Sequence, residues 1–150
     1  MKRIILLSGL LAFITLFMGG MIYVLFRPQH LLMFDWIETI GLTDGINTMR
    51  ERGNILFPEW IIYSLPDGLW IFSYSLCIGS IWEFEIKKCI PALLMLPAIS
   101  VFDEILQSLN MVPGTFDLMD IFAYSISSLI GIGYIRLIKL YLIKNSLYEI

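Results

Sequence analysis

Charged residues along this chain fall mainly in short stretches that separate four long apolar runs, and the few that do not are the exceptions of interest. From Ile4 to Phe26 there is no charge at all. A bilayer core of about 30 Å needs about 20 apolar residues at about 1.5 Å rise each. The pattern predicts membrane helices at about 4–26, 60–82, 89–108 and 118–138. Arg27-Pro28 ends the first, because proline cannot continue a helix and disfavours helix in the residue before it. Pro66-Asp67-Gly68 interrupts the second, and Lys87-Lys88 precedes the third. The fold expected is all-α: an integral membrane four-helix bundle, one multi-pass domain over residues 1–150. In the segment of about 27–59, His30 to Leu42 reads as a short surface helix with Trp36 at headgroup depth. Thr43-Asp44-Gly45 reads as a turn, and Arg50-Glu51-Arg52-Gly53-Asn54 as a solvated loop.

Composition agrees with a lipid environment. Hydrophobic residues make up 58% and charged residues 15%, against about 45–50% and about 25% in soluble domains. A net charge of -3 offers no electrostatic footprint for nucleic acid. Met1-Lys2-Arg3 before an apolar run resembles a signal peptide, but the run exceeds the usual h-region and no A-x-A site follows, so it reads as a retained first helix. With the N-terminus cytoplasmic, Lys2, Arg3, Lys87, Lys88, Arg136, Lys139 and Lys144 lie inside, and Arg27, Arg50 and Arg52 outside. That satisfies the positive-inside rule and places both termini in the cytoplasm of a cell with this protein in its inner membrane. Cys77 reads as a small buried apolar residue, and a Cys77–Cys89 disulfide is not expected on the reducing side. No spacing of Cys or His calls for a metal, and no motif calls for a cofactor. The lone His30 reads as a surface residue.

The exceptions to the apolar pattern fall at one level. A charged side chain at a helix centre in lipid costs about 2.5–3.5 kcal/mol on insertion scales. Asp67 lies roughly 10 Å into a helix that starts at Trp60. Glu104 and Gln107 lie near the end of the third helix, and Asp117 and Asp120 open the fourth. Glu104 and Gln107 are i, i+3, as are Asp117 and Asp120; Asp120 and Tyr124 are i, i+4, so each set shares a helical face. Clustered carboxylates push one another's pKa apart, the condition for an acid/base pair. The same cluster suits a cation or the hydroxyls and amines of a headgroup. Simpler roles compete with these. Asp117 can be an N-cap and Asp120 a first-turn carboxylate favoured by the helix dipole. Asp67 can cap a helix that starts at Gly68, with residues 55–65 on the surface. Glu104 and Gln107 can snorkel to the interface, and Asp103 reads as structural or solvated.

Glu104-Ile-Leu-Gln107, a short loop, then Phe116-Asp117-Leu-Met-Asp120 and a helix containing Gly131 resemble the VanZ-like family of small multi-pass bacterial membrane proteins. Asp67 occupies the place of that family's polar residues near the outer start of an earlier helix. The resemblance covers about residues 60–133. It implies a role at the cell envelope and, through the family's named member, a link to low-level resistance to the glycopeptide teicoplanin. Two positions depart from the pattern: the loop reads Pro113-Gly114-Thr115 where the family usually carries an Arg, and Tyr124 stands where it often has Asn.

The expectation is an outward-facing carboxylate cluster that binds or modifies an envelope lipid or lipid-linked precursor. Asp120 and Glu104 would form the acid/base pair, Gln107 would orient one of them, and Asp67, Asp117 and Tyr124 would bind substrate. The alternative is a non-catalytic membrane module in which the same residues lock helix packing for a partner complex. An ion or proton pathway is a third reading, opposed by the apolar span between this cluster and Glu83 and Glu85.

Overall fold

A computed structural model describes residues 1–29, 31–52 and 57–148. Every regular element among them is helical: α1 (Lys2–Phe26), α2 (Leu32–Thr39), α3 (Thr43–Arg52), α4 (Glu59–Tyr63), α5 (Leu65–Ile81), α6 (Ile86–Ser108) and α7 (Leu118–Tyr148). Three of these, α1, α6 and the Leu118–Asn145 part of α7, are long and apolar enough to cross a membrane.

Burial along α1 runs opposite to that of a soluble helix. Its buried residues are Ser8, Ala12, Thr15 and Gly19, a stripe of small side chains at intervals of four, three and four. Leu6, Leu7, Leu10, Phe13 and Phe17 point outward. In water that arrangement would expose far more contiguous apolar surface than a monomer tolerates. In lipid it is the expected one: tails solvate the large apolar groups, and small residues let backbones approach. The chain is a membrane protein by this criterion as well as by helix length.

The small-residue stripes set the packing. α5 lies at the centre, against α1 and α7, with α6 against α7 and α5. A side chain at Gly19 would meet Trp70 at 2.6 Å, and one at Gly131 would meet Ser75 Cβ at 2.5 Å. Hydrogen bonds join the helices as well: Ser73 donates to the Ala12 carbonyl at 2.8 Å across α5 and α1, Ser8 and Tyr134 share one of 2.8 Å between α1 and α7, and Tyr74 donates to the Ala92 carbonyl at 2.6 Å between α5 and α6. At one end Phe84, Cys89, Leu93 and Ile135 form an apolar core that Ile4, Ile5 and Ile138 extend. The turn there holds Glu83 and Phe84 at φ 51° and 60°. That conformation costs about 1–2 kcal/mol per residue but seats Phe84 with no exposure, and burying such a side chain recovers about 1.5–3 kcal/mol.

Several expected boundaries move. The second apolar run is two helices, α4 and α5, joined at Ser64, whose backbone is α-like but whose N–H bonds only to the Trp60 carbonyl. Pro66 has no N–H to donate and lies in the first turn of α5, where none is needed. Asp67 is therefore a first-turn residue of α5. α6 starts at Ile86, ahead of the two lysines, and α7 runs ten residues past the expected end. Thr43-Asp44-Gly45 and Arg50 to Arg52 belong to α3, not to a turn and a loop. α3 is fixed by Arg50, which donates to the Val24 and Arg27 carbonyls at 2.7 and 2.9 Å and so caps the end of α1. The expected surface helix is α2, with Trp36 exposed and Phe34 and Ile37 buried. Cys77 is exposed, because α5 turns Ser75, Leu76 and Gly79 inward instead; it and Cys89 are both free thiols. The readings of His30 as a surface residue and of Gly53-Asn54 as loop lie outside the described residues.

Candidate functional site

The ends of four helices meet opposite the Phe84 core and enclose a cavity of about 590 Å³. α5 brings Asp67, α6 brings Asp103, Glu104 and Gln107, and α7 brings Asp120 and Tyr124. Asp117 enters from the residue just before α7, and Arg27 from the residue just after α1. All six residues expected to form the site, Asp67, Glu104, Gln107, Asp117, Asp120 and Tyr124, thus line one space. The i, i+3 and i, i+4 relations aim each set across the gap rather than outward.

Each carboxylate has a distinct environment. Asp67 faces the Arg27 guanidinium at 3.5 Å, with both side chains about one-fifth exposed. Arg27 also donates to the Tyr63 carbonyl at 2.6 Å and lies 5.0 Å from the centres of the Tyr23 and Tyr63 rings. Two aromatic faces and a carbonyl hold the guanidinium in place beside Asp67. Glu104 is only 4% exposed, and its Oε2 accepts the Asp117 backbone N–H at 3.0 Å. Asp117 Oδ1 in turn accepts the Met119 N–H at 2.8 Å, the bond of an N-cap. One carboxylate therefore ties the entry of α7 to α6, and the next starts the helix.

Asp120 is different. Its Oδ1 is buried with no hydrogen-bond partner among the described residues, and the same is true of Ser64 Oγ and Arg27 Nε. The Ser64 hydroxyl stands beside the Asp120 carboxyl without closing a bond to it. Unpaired buried groups cost about 1–3 kcal/mol each and mark places where packing alone does not explain a sequence.

Gln107 does not orient Glu104 or Asp120 as expected. Its Nε2 donates to Asp103 Oδ2 at 2.8 Å, an i, i+4 partner on its own helix. Asp103 is thereby drawn to the cavity rim. Gly114 lies against the Gln107 side chain with φ 140°, a conformation open to glycine, and a Cβ there would meet Gln107 Oε1 at 2.5 Å. The Pro113-Gly114 step is thus fitted to the cavity wall.

Arg27 is the site residue that sequence reasoning missed. It reads as the residue that ends α1, and it does that as well. The available signal was its position: a cation at the end of a helix with no other charge after Arg3, on the level at which Asp67 needs a partner. Ser64 carries no charge to single it out, but its backbone stays α-like and it stands four and seven residues before the buried Gly68 and Ile71, so the signal for its inward face was helical spacing. Among the described residues no three acidic, His or Cys side chains come close enough to share a metal ion. No family model, no curated protein and no solved structure matches the chain.

Proposed function

We propose that this chain is a multi-pass protein of the inner membrane, in which α1, the α4–α5 pair, α6 and α7 each cross once and both termini are cytoplasmic. The carboxylate cavity then faces outward, and it binds or modifies an envelope lipid or lipid-linked precursor. Asp120 and Glu104 serve as the acid/base pair, with Asp67, Asp117 and Tyr124 around the ligand. The pattern from Glu104 to Gly131 supports extending the VanZ-like resemblance to a cell-envelope role, with altered glycopeptide susceptibility as its cellular consequence. The loop lacks the arginine usual in that family, but the cavity does not lack a guanidinium: Arg27 brings one from α1.

The observation that carries this reading is the pair of buried, unpartnered polar atoms on Asp120 and Arg27, which line the open cavity, with the Ser64 hydroxyl beside Asp120. A purely structural polar lock pairs its atoms with one another. Part of the cluster does behave as a lock, since Arg27–Asp67 joins α1 to α5 and Glu104–Asp117 joins α6 to α7. That favours, as a second reading, a packing module with no ligand. The test is the lipid that copurifies in mild detergent, measured by mass spectrometry for the wild type, Asp120→Asn and Glu104→Gln. The wild type is expected to retain lipid that differs in composition from the bulk membrane, and the variants to return to bulk composition at unchanged abundance. Collapse of abundance in both variants would leave the packing module. Topology is tested separately: a reporter after Ile150 should read cytoplasmic and one near Asn54 external.

A further inference from the structure

A second cavity, of about 410 Å³, lies along the seam of α5 and α7. Its walls are almost wholly apolar, with Leu69 and Phe72 on one side and Phe122, Ile126 and Ile130 on the other. It begins beside the carboxylate cavity. Ser64, Gly68, Met119 and Ala123 line the groove, and their chain neighbours Tyr63, Asp67, Asp120 and Tyr124 line the carboxylate cavity. At this junction sits Ser64, 3% exposed, its hydroxyl without a partner and next to Asp120. An apolar groove that holds an unpaired hydroxyl in its wall, against a carboxylate with an unpaired oxygen, has the polarity profile of one amphiphilic molecule.

Resting on the function proposed above, we infer that the two cavities form one site for a phospholipid with a primary-amine headgroup, the acyl chain in the α5–α7 groove and the ammonium at Asp120. Charge decides the headgroup. Five carboxylates line the polar cavity against the single guanidinium of Arg27, which Asp67 already engages. A headgroup with only anionic groups meets repulsion there. Hydrogen bonding narrows the choice further. Asp120 Oδ1 is an acceptor that lacks a donor, which an ammonium N–H supplies and a trimethylammonium group does not. Ser64 is placed to donate to the ester carbonyl at the junction of headgroup and chain, a group every acylated glycerolipid carries.

The experiment exchanges the purified full chain into detergent micelles holding equal amounts of dioleoyl phosphatidylethanolamine, phosphatidylcholine and phosphatidylglycerol, then reads retained lipid by native mass spectrometry. The wild type should enrich phosphatidylethanolamine at least fivefold over each competitor. Asp120→Asn should keep a bound lipid but bring that ratio within twofold of the mixture. Ile126→Trp and Ile130→Trp fill the groove from positions more than half exposed, so the fold has room for them, and unchanged thermal unfolding checks this. Each should lower total retained lipid at least fivefold. Retention unchanged in both tryptophan variants overturns the groove assignment and leaves the headgroup reading standing. Enrichment of phosphatidylglycerol or phosphatidylcholine overturns the amine assignment alone. A wild type that retains lipid in the proportions of the mixture overturns the inference and the function on which it rests.

Discussion

The two ends of this molecule solve the same packing problem in opposite ways. At the Phe84 end the chain accepts two left-handed residues to close an apolar core, and Phe84, Cys89 and Ile135 are fully buried. Its ion pair, Lys139 with Glu85, is pushed to the rim, the side chains 30% and 44% exposed. At the Asp67 end the ion pair is drawn inward, buried polar atoms are left unpaired, and a cavity remains. Strain at the first end improves packing. Imperfection at the second degrades it with no structural return, and such inconsistency is the usual mark of a functional site.

If that contrast is right, the seams joining the two ends should be the least tolerant part of the molecule. Gly131→Leu sets a branched side chain against Ser75 Cβ, where even a Cβ would come within 2.5 Å. The obstacle is the side chain nearest the α5 backbone, with no flexible end to move aside. The expected loss lies at or above the upper part of the about 1–3 kcal/mol typical of overpacking. It should appear as a collapsed yield of monodisperse protein in detergent, whereas Gly9→Leu, with open space around it, should leave that yield unchanged.

The two ion pairs then test the comparison directly. Arg27→Leu leaves Asp67 facing an apolar side chain in a site about one-fifth exposed, and also removes the bond to the Tyr63 carbonyl. The expected cost is about 1–3 kcal/mol, read as a lowered midpoint of thermal unfolding in detergent. The double variant Arg27→Leu with Asp67→Asn should recover much of it, because the stranded charge is gone. If the double variant is as unstable as the single, the arginine acts through its aromatic and carbonyl contacts, not through Asp67.

What the sequence made legible divides along the same line. Helix character and three of the four expected spans follow from the apolar runs, and the shared faces of Glu104 with Gln107 and of Asp117 with Asp120 follow from spacing along single helices. Spacing cannot say which end of another helix arrives opposite. Arg27 was visible as a helix stop but not as the partner of a residue 40 positions away. Gln107 shares a face with Glu104, yet Asp103 is the nearer acceptor on its own helix, and intrahelical geometry won. The turn read at Thr43-Asp44-Gly45 failed because Arg50 reaches the α1 carbonyls and holds that segment helical, a tertiary contact that local propensity does not report.

The smallest expected effect belongs to the exposed pair, and its pH dependence gives the comparison its sharpest form. The hydrogen bond from Lys139, helped by its charge, holds the Glu85 carboxyl below the usual carboxylate range. A carboxyl whose pKa is depressed by folding contributes stability above its unfolded pKa and loses it as pH falls through the folded value. Any difference in unfolding midpoint between wild type and Glu85→Gln should therefore be present at pH 6 and shrink as the pH falls below the usual carboxylate range. It should also shrink in high salt, because water screens a pair this exposed. Lys139→Met should reproduce the loss at pH 6, and in its background Glu85→Gln should have little further pH-dependent effect. A Glu85→Gln effect as large as that of Arg27→Leu, or one unmoved by salt, would mean that the Phe84 end relies on its charges as the Asp67 end does, and the contrast between the two ends would fail there.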